Sequence, residues 1–279
     1  MGRLRRSWEL AKASWGVIRS DWTLLRFPLI SGALSTILGG LALLFLWLSG
    51  TFDSSSSDDV SIGSMIGLFI FYLVTYTVVI FCNVALVSSV MARFSGQPEH
   101  ADTGWAAARG RWKKIVGWAA IAATVGVVLN VLSNRGDRVT EILAVIGAAA
   151  WSLATFLIVP VLVVEDAGPV DALKRSTTLL KRTWGEQIAG NAGIGLVTGL
   201  LMVVVIAIGG GLVWLAALTS NAIVIGIAIV PVLVAVAITM AVTSAMGTVY
   251  SAATYRYAVN EPTAGFGASD LLPTAFQAK

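Results

Sequence analysis

Glu165 and Asp166 are two adjacent carboxylates, a residue pair that could form a reactive site. They follow a long apolar run and precede a basic stretch that contains Lys174 and Arg175. A carboxylate pair can capture an ion or serve as general acid and base. We favour a different interpretation, in which the two acids form ion pairs with nearby Lys or Arg at a membrane surface.

Three asparagines lie in or at the ends of apolar runs, at Asn83, Asn130 and Asn191. Polar side chains in a membrane span are costly, so they either line a pathway or bond to a neighbouring helix. Helix-to-helix bonding, worth about 1 kcal/mol per contact, is the role we favour over a cavity. No Asp, Glu, Lys or His lies in the middle of an apolar run, which weakens the case for a proton-coupled transporter.

Other reactive groups are scarce in the sequence. Cys82 is the only cysteine and His100 the only histidine, so one chain can form neither a disulfide nor a Cys/His metal cluster. The G-x-S-x-G, H-E-x-x-H and Walker patterns do not occur. The sequence therefore predicts a non-enzymatic protein without a metal or other cofactor.

The composition excludes a water-soluble fold. Hydrophobic residues make up 57% of the 279 positions and charged residues only 12%, whereas soluble domains average about 25% charged residues. A membrane-spanning helix needs about 20 largely apolar residues, and six runs satisfy that length: 24–49, 65–92, 115–132, 142–164, 188–218 and 222–254. We predict an all-α polytopic membrane protein with six transmembrane helices.

The basic residues predict how these helices are oriented. The net charge of +4 could indicate nucleic-acid binding, but the basic residues lie between the apolar runs, as in membrane proteins. All but two of the 19 Lys and Arg residues lie in segments on one side, the exceptions being Arg135 and Arg138. The sequence therefore predicts no nucleic-acid partner and a multi-pass protein of the cell (plasma or inner) membrane with both termini in the cytoplasm.

Two segments repeat without a gap. Residues 4–16 and 173–185 share the pattern L-[RK]-R-S-x-x-L-x-K-x-[ST]-W-G, and a looser third copy occupies 98–118. The repeat predicts three units, each with a cytoplasmic helix and a transmembrane hairpin. These units, 1–92, 95–165 and 166–257, would form one domain over 1–257, followed by a loosely ordered cytoplasmic tail at 258–279.

The repeated segment has the periodicity of an amphipathic helix. In the first copy, one predicted helical stripe holds Leu4, Trp8, Ala11, Trp15, Ile18 and Trp22. Trp favours the headgroup region, and each Lys or Arg beside an anionic surface contributes about 1 kcal/mol. The predicted lipid-interface residues are Arg6, Trp8, Lys12, Trp15, Arg111, Trp112, Arg175, Lys181 and Trp184. The alternative is that these helices only position the spans that follow them.

Two stretches carry a resemblance to known proteins: L-L-R-F-P-L-I-S-G at 24–32, and V-P-V-L-V-V-E-D-A-G-P-V-D-A-L-K-R-S at 159–176. With the N-terminal R-R-S-W-E-L-A-K-A-S-W, they resemble an uncharacterised family of prokaryotic six-span membrane proteins. More distantly, the chain is similar to the membrane domain fused to some glycerophosphodiester phosphodiesterases. The resemblance covers about 1–257 and implies a six-helix membrane domain without known catalysis, so it assigns no catalytic residue.

The leading hypothesis is a membrane protein whose cytoplasmic interfacial helices bind anionic lipids or a membrane partner. The alternative is a transporter or channel for a small or lipid-like solute, with a cavity lined by Asn83, Asn130 and Asn191.

Overall fold

The computed structural model describes residues 3–48, 62–97, 101–133, 138–263 and 266. Secondary structure throughout this described part is helical, which confirms the all-α prediction. Nine α-helices and one 3-10 turn occur in it: α1 Arg3–Ser20, the 3-10 turn Trp22–Leu25, α2 Arg26–Leu48, α3 Ile62–Phe94, α4 Ala101–Gly110, α5 Trp112–Ser133, α6 Arg138–Thr155, α7 Ile158–Val164, α8 Pro169–Ala217 and α9 Ala222–Ala258.

Six helical segments are long and apolar enough to cross a membrane: Trp22–Leu48, Met65–Phe94, Trp112–Ser133, Arg138–Val164, Thr198–Ala217 and Ala222–Ala258. Each overlaps one of the six runs predicted from the sequence, so the six-span prediction is confirmed. The chain is a multi-pass helical membrane protein.

The chain forms two compact units. The first holds residues 1–29, 90–98 and 183–279, and the second holds 30–89 and 99–182.

In the first unit, α1 packs against α9. The buried face of α1 carries residues at the one-, three- and four-residue steps of a helix: Leu10, Ala11, Ser14, Val17 and Ile18. Two members of this face, Ala11 and Ser14, have small side chains. This face differs from the predicted stripe, because Trp8 and Trp22 are more than half exposed. The predicted stripe is buried only in part, because Ala11 and Ile18 are buried whereas Trp8 and Trp22 are exposed. The side chain of Leu4 lies outside the described residues.

The start of the C-terminal tail is also packed in the first unit. Thr263 and Phe266 are buried, and the Phe266 ring meets the Phe94 ring edge-on with centroids 6.1 Å apart. The predicted loosely ordered tail at 258–279 stays a prediction beyond these two buried residues. Residues 267–279 of the predicted tail lie outside the described residues.

In the second unit, α5 and α6 form a hairpin. The rings of Trp118 and Trp151 stack across it with centroids 5.5 Å apart. The fourth span is interrupted after α6 at Thr155 and resumes as α7 at Ile158. Pro160 accounts for the break, because its ring would collide with the carbonyl of residue 156 in a continuous helix and it has no N–H to donate. By contrast, α9 continues through Pro231.

The copies at 4–16 and 173–185 are both α-helical, and the three copies differ in how each leads into the span that follows. The 3-10 turn separates α1 from α2, a junction at Arg111 separates α4 from α5, and the copy at 173–185 continues within α8 into the fifth span. The division into three repeats stays a prediction.

Candidate functional site

Five charged side chains from three helix ends meet in the second unit. The α4–α5 junction and the first turn of α5 contribute two basic residues, the end of α7 contributes two acids, and the second turn of α8 contributes a third base. We call this group the ion-pair cluster: Arg111, Lys114, Glu165, Asp166 and Arg175.

Arg111 links the α4–α5 junction to the end of the fourth span. Its guanidinium donates to the carbonyls of Ala107, at 3.3 Å, and Val163, at 2.9 Å. Its Nε also lies 3.5 Å from Oδ1 of Asp166. These contacts hold the half-buried guanidinium against the protein, and the predicted lipid contact of Arg111 stays a prediction.

Lys114 and Asp166 form the shortest ion pair of the cluster. Lys114 Nζ lies 2.8 Å from Oδ1 of Asp166 and also donates to the backbone carbonyl of Asp166. Asp166 has a φ of 49°, a left-handed conformation that Asp tolerates better than most residues. The hydrogen bond from Lys114, its charge and that of Arg111 hold the pKa of Asp166 below its ordinary value of 3.8. Asp166 is therefore ionised at neutral pH and is a poor general acid.

Arg175 and Glu165 form the second ion pair. Arg175 Nε lies 2.9 Å and 3.0 Å from the two carboxylate oxygens of Glu165. The interpretation of Glu165 and Asp166 as ion-pairing acids agrees with this geometry. Both acids are engaged by bases, so the cluster holds helix ends together.

Ser176 follows Arg175 in the repeated pattern. It forms hydrogen bonds to backbone groups on both sides of the break in the fourth span. Its Oγ donates to the carbonyl of Ala154 at 2.6 Å and accepts from the N–H of Leu157 at 3.3 Å. The α6–α7 break frees both backbone groups from regular helix bonding. In this copy, the R-S dipeptide has a structural role that the sequence did not identify.

The described residues contain no group of three or more His, Cys, Asp or Glu side chains that could hold a metal ion. Asn83 and Asn130 are half-buried, and neither is without a partner. The side chains of Arg6, Trp184 and Asn191 lie outside the described part, so the predicted roles of these three residues stay predictions.

Other predicted lipid-interface residues do lie at the surface. Trp8 and Trp112 are each 56% exposed, and Lys12 and Lys181 are also exposed. Trp15 is half-buried, with its ring edge-on to that of Trp22 at 5.6 Å.

Two further residues at these surfaces are not among the nine predicted lipid-interface residues, although Trp22 belongs to the predicted stripe. Trp22 is 57% exposed and begins the first span. The Lys113 ammonium lies 5.8 Å from the centroid of the Trp112 ring, next to the start of the third span. The position of an aromatic residue at the start of an apolar run is the signal that could have identified them.

The first unit holds a second set of charged contacts, around Arg256. This buried guanidinium donates to Ser95 Oγ at 2.9 Å and to the Met91 carbonyl at 3.4 Å, and its Nε lies 3.4 Å from Glu261. Arg93 also donates to Ser20 Oγ at 2.6 Å. These contacts join the end of α3 to α1 and α9, and no sequence pattern predicts them.

A model of a family of unknown function, DUF6159, matches residues 62–266. This agrees with the expected uncharacterised membrane family. The comparison with curated proteins finds no match. The distant similarity to the membrane domain of glycerophosphodiester phosphodiesterases has no support from these comparisons.

Proposed function

The chain belongs to the family of unknown function DUF6159, and we propose that it is a non-enzymatic membrane protein that binds anionic lipid headgroups. The binding surface consists of exposed Trp, Lys and Arg side chains at the predicted cytoplasmic ends of its spans. Both termini lie in the cytoplasm in this proposal, because the positive-inside rule places the more basic connecting segments there.

One observation carries the proposal. Two spans begin at a Trp that is more than half exposed: Trp22 in the first unit and Trp112 in the second. An exposed base accompanies each, Arg19 before Trp22 and Lys113 after Trp112. An indole ring suits the boundary between hydrocarbon and water, and a neighbouring cation is attracted to anionic headgroups.

The surface of α1 supports the same function. Because the opposite face of α1 packs on α9, Trp8 and Lys12 are held on a fixed outer face. Lys12, Arg19 and Lys181 are exposed and form no ion pair in the part of the chain that is described. They differ from Arg111 and Arg175, whose charges are matched by acids. The available cations are therefore a subset of those in the repeated segments.

The experiment is lipid retention by the full chain in mild detergent, measured by native mass spectrometry after addition of phosphatidylglycerol. The test variant is Trp112→Ala/Lys113→Gln. The matched control is Trp47→Ala/Arg138→Gln, which removes an exposed Trp and an exposed base from the predicted outer ends of spans.

We expect the test variant to bind phosphatidylglycerol about fivefold more weakly than wild type, which corresponds to about 1 kcal/mol for one base. The control variant should retain the wild-type affinity. Equal affinities in all three proteins would reject the proposal.

A further inference from the structure

Six Lys or Arg side chains in the described residues are buried or half-buried, and five of them contact a protein oxygen. Those five are Arg93, Arg111, Lys114, Arg175 and Arg256. The sixth is Arg26, at the start of the first span. Its Nε is buried without a hydrogen-bond partner, and its guanidinium forms no ion pair within the described part of the chain.

The backbone before Arg26 is fixed by a capped 3-10 turn, and the Arg26 guanidinium lies over the ring of Phe27. Asp21 caps the preceding 3-10 turn by accepting from the N–H and hydroxyl of Thr23, at 2.8 Å and 2.6 Å. Arg26 then begins α2, and its guanidinium carbon lies 5.3 Å from the ring centroid of fully buried Phe27. A cation over a ring is attracted to it, but the ring does not replace an oxygen acceptor for the in-plane N–H groups.

The position of Arg26 near the start of the first span indicates which hydrogen-bond acceptor its guanidinium can reach. The span begins at Trp22, whose exposed ring suits the interface. Arg26 lies four residues further along the chain, about 8 Å further along a 3-10 turn. A charge at that depth is costly without a counter-ion, and long basic side chains extend toward the headgroups to reduce the cost. Phospholipid phosphates supply negative oxygens at this level.

We propose that Arg26 binds the phosphodiester of one anionic phospholipid, as a defined site within the broader lipid-binding surface. The terminal Nη groups of the guanidinium, unlike the buried Nε, present N–H donors that match phosphate oxygens. This inference rests on the proposed lipid-binding function, and it adds one specific residue and one headgroup chemistry to it.

The test is a titration of the full chain in mild detergent with short-chain phosphatidylglycerol, followed by native mass spectrometry. Wild type is compared with Arg26→Gln, Arg26→Lys and the control Arg138→Gln, which removes an exposed arginine from the predicted outer side. Arg26→Gln should weaken binding of the most tightly held lipid by about tenfold or more, as expected for charge-assisted hydrogen bonds. Arg26→Lys should weaken it less, and Arg138→Gln should leave it unchanged.

Wild-type affinity in Arg26→Gln would overturn the inference. If Arg26→Gln does not yield a monodisperse protein, Arg26→Lys serves in its place, and an unchanged affinity in that variant overturns the inference. A parallel titration with inorganic phosphate separates the two sources of phosphate. Phosphate that displaces the lipid at equal concentration would assign the site to free phosphate and reject the lipid.

The result is separable from the broader proposal. If Arg26→Gln has no effect but Trp112→Ala/Lys113→Gln weakens lipid binding, the Arg26 site is rejected and the lipid-binding function stands. If neither variant has an effect, both are rejected.

Discussion

Ser176 donates a hydrogen bond from its Oγ to the backbone carbonyl of Ala154 over 2.6 Å. The same Oγ accepts from the N–H of Leu157, so one buried hydroxyl bonds to both sides of the α6–α7 break. Pro160 causes this break, and a side chain from the next helix supplies the missing partners. The start of α8 is thereby tied to the interrupted fourth span.

Replacing Ser176 with Ala should lower the free energy of unfolding by about 1–3 kcal/mol, because two buried backbone groups lose their partner. Thermal unfolding in detergent, followed by near-UV circular dichroism, measures the effect. Thr178→Ala is the matched control, since its exposed hydroxyl bonds only to the Lys174 carbonyl in the same helix. An equal loss in both variants would contradict a role for Ser176 at the break.

The consecutive glycines of α8 should respond in opposite directions to Ala. A Cβ on Gly209 would lie 2.5 Å from Cγ1 of Val232, whereas one on Gly210 meets nothing within 4 Å. Because the side chain of Val232 is β-branched and stiff, Gly209→Ala should destabilise the protein by about 1–3 kcal/mol. Gly210→Ala should be neutral or stabilising by up to about 1 kcal/mol, because Ala favours a helix. Thermal unfolding of the two variants measures these effects. A Gly209→Ala protein as stable as wild type would contradict the close approach of Gly209 to Val232.

The Asp166 ion pair should make stability depend on pH. Because its pKa is lowered in the folded state, the pairing stabilises the protein above the ordinary value of 3.8 and is lost as pH falls through the lowered pKa. Asn tolerates the left-handed backbone at this position, so Asp166→Asn removes mainly the charge.

The difference in unfolding temperature between wild type and Asp166→Asn should be largest near neutral pH and should vanish in acid. It should also shrink in high salt, since the carboxylate is exposed. A difference that is constant from neutral pH to below pH 3.8 would contradict this account.

Arg175 should contribute to stability without contributing to lipid binding. A double-mutant cycle with Glu165→Gln and Arg175→Ala should give a coupling energy below about 1 kcal/mol, because the Arg175 side chain is 40% exposed and partly screened. Retention of phosphatidylglycerol by Arg175→Ala should equal that of wild type. Lipid loss as large as in Trp112→Ala/Lys113→Gln would show that Arg175 is a lipid ligand after all.

The spans and the pairing of Glu165 could be predicted from the sequence for simple reasons. Apolar length alone identifies the spans, and Glu165 precedes its partner Arg175 in the same basic segment. The partners of Asp166, Arg111 and Lys114, lie far away in the chain, and the fold brings them to it. The face of α1 could not be predicted in the same way. Its periodicity includes both Trp8 and Ile18, but contact with α9 buries Ile18 and leaves Trp8 exposed.

The sequence alone could not show which basic residues form ion pairs and which remain exposed. Arg111, Arg175 and Lys181 all lie in basic segments, and their residue types do not distinguish them. Only the fold shows that Arg111 and Arg175 reach acids and that Lys181 lies exposed. Arg26 became a candidate for the same reason, because its lack of an oxygen partner within the described residues is a property of the folded chain.

The most direct test of the central claim is electron spin resonance of the protein in bilayers that contain spin-labelled phosphatidylglycerol or phosphatidylcholine. The motionally restricted fraction of each lipid gives the relative affinity of the protein surface for the two headgroups. We predict a preference for phosphatidylglycerol that weakens in high salt and falls by up to about fivefold for each of Lys12, Lys113 and Lys181 replaced by Gln. Equal restricted fractions of the two lipids around the wild-type protein would contradict the account.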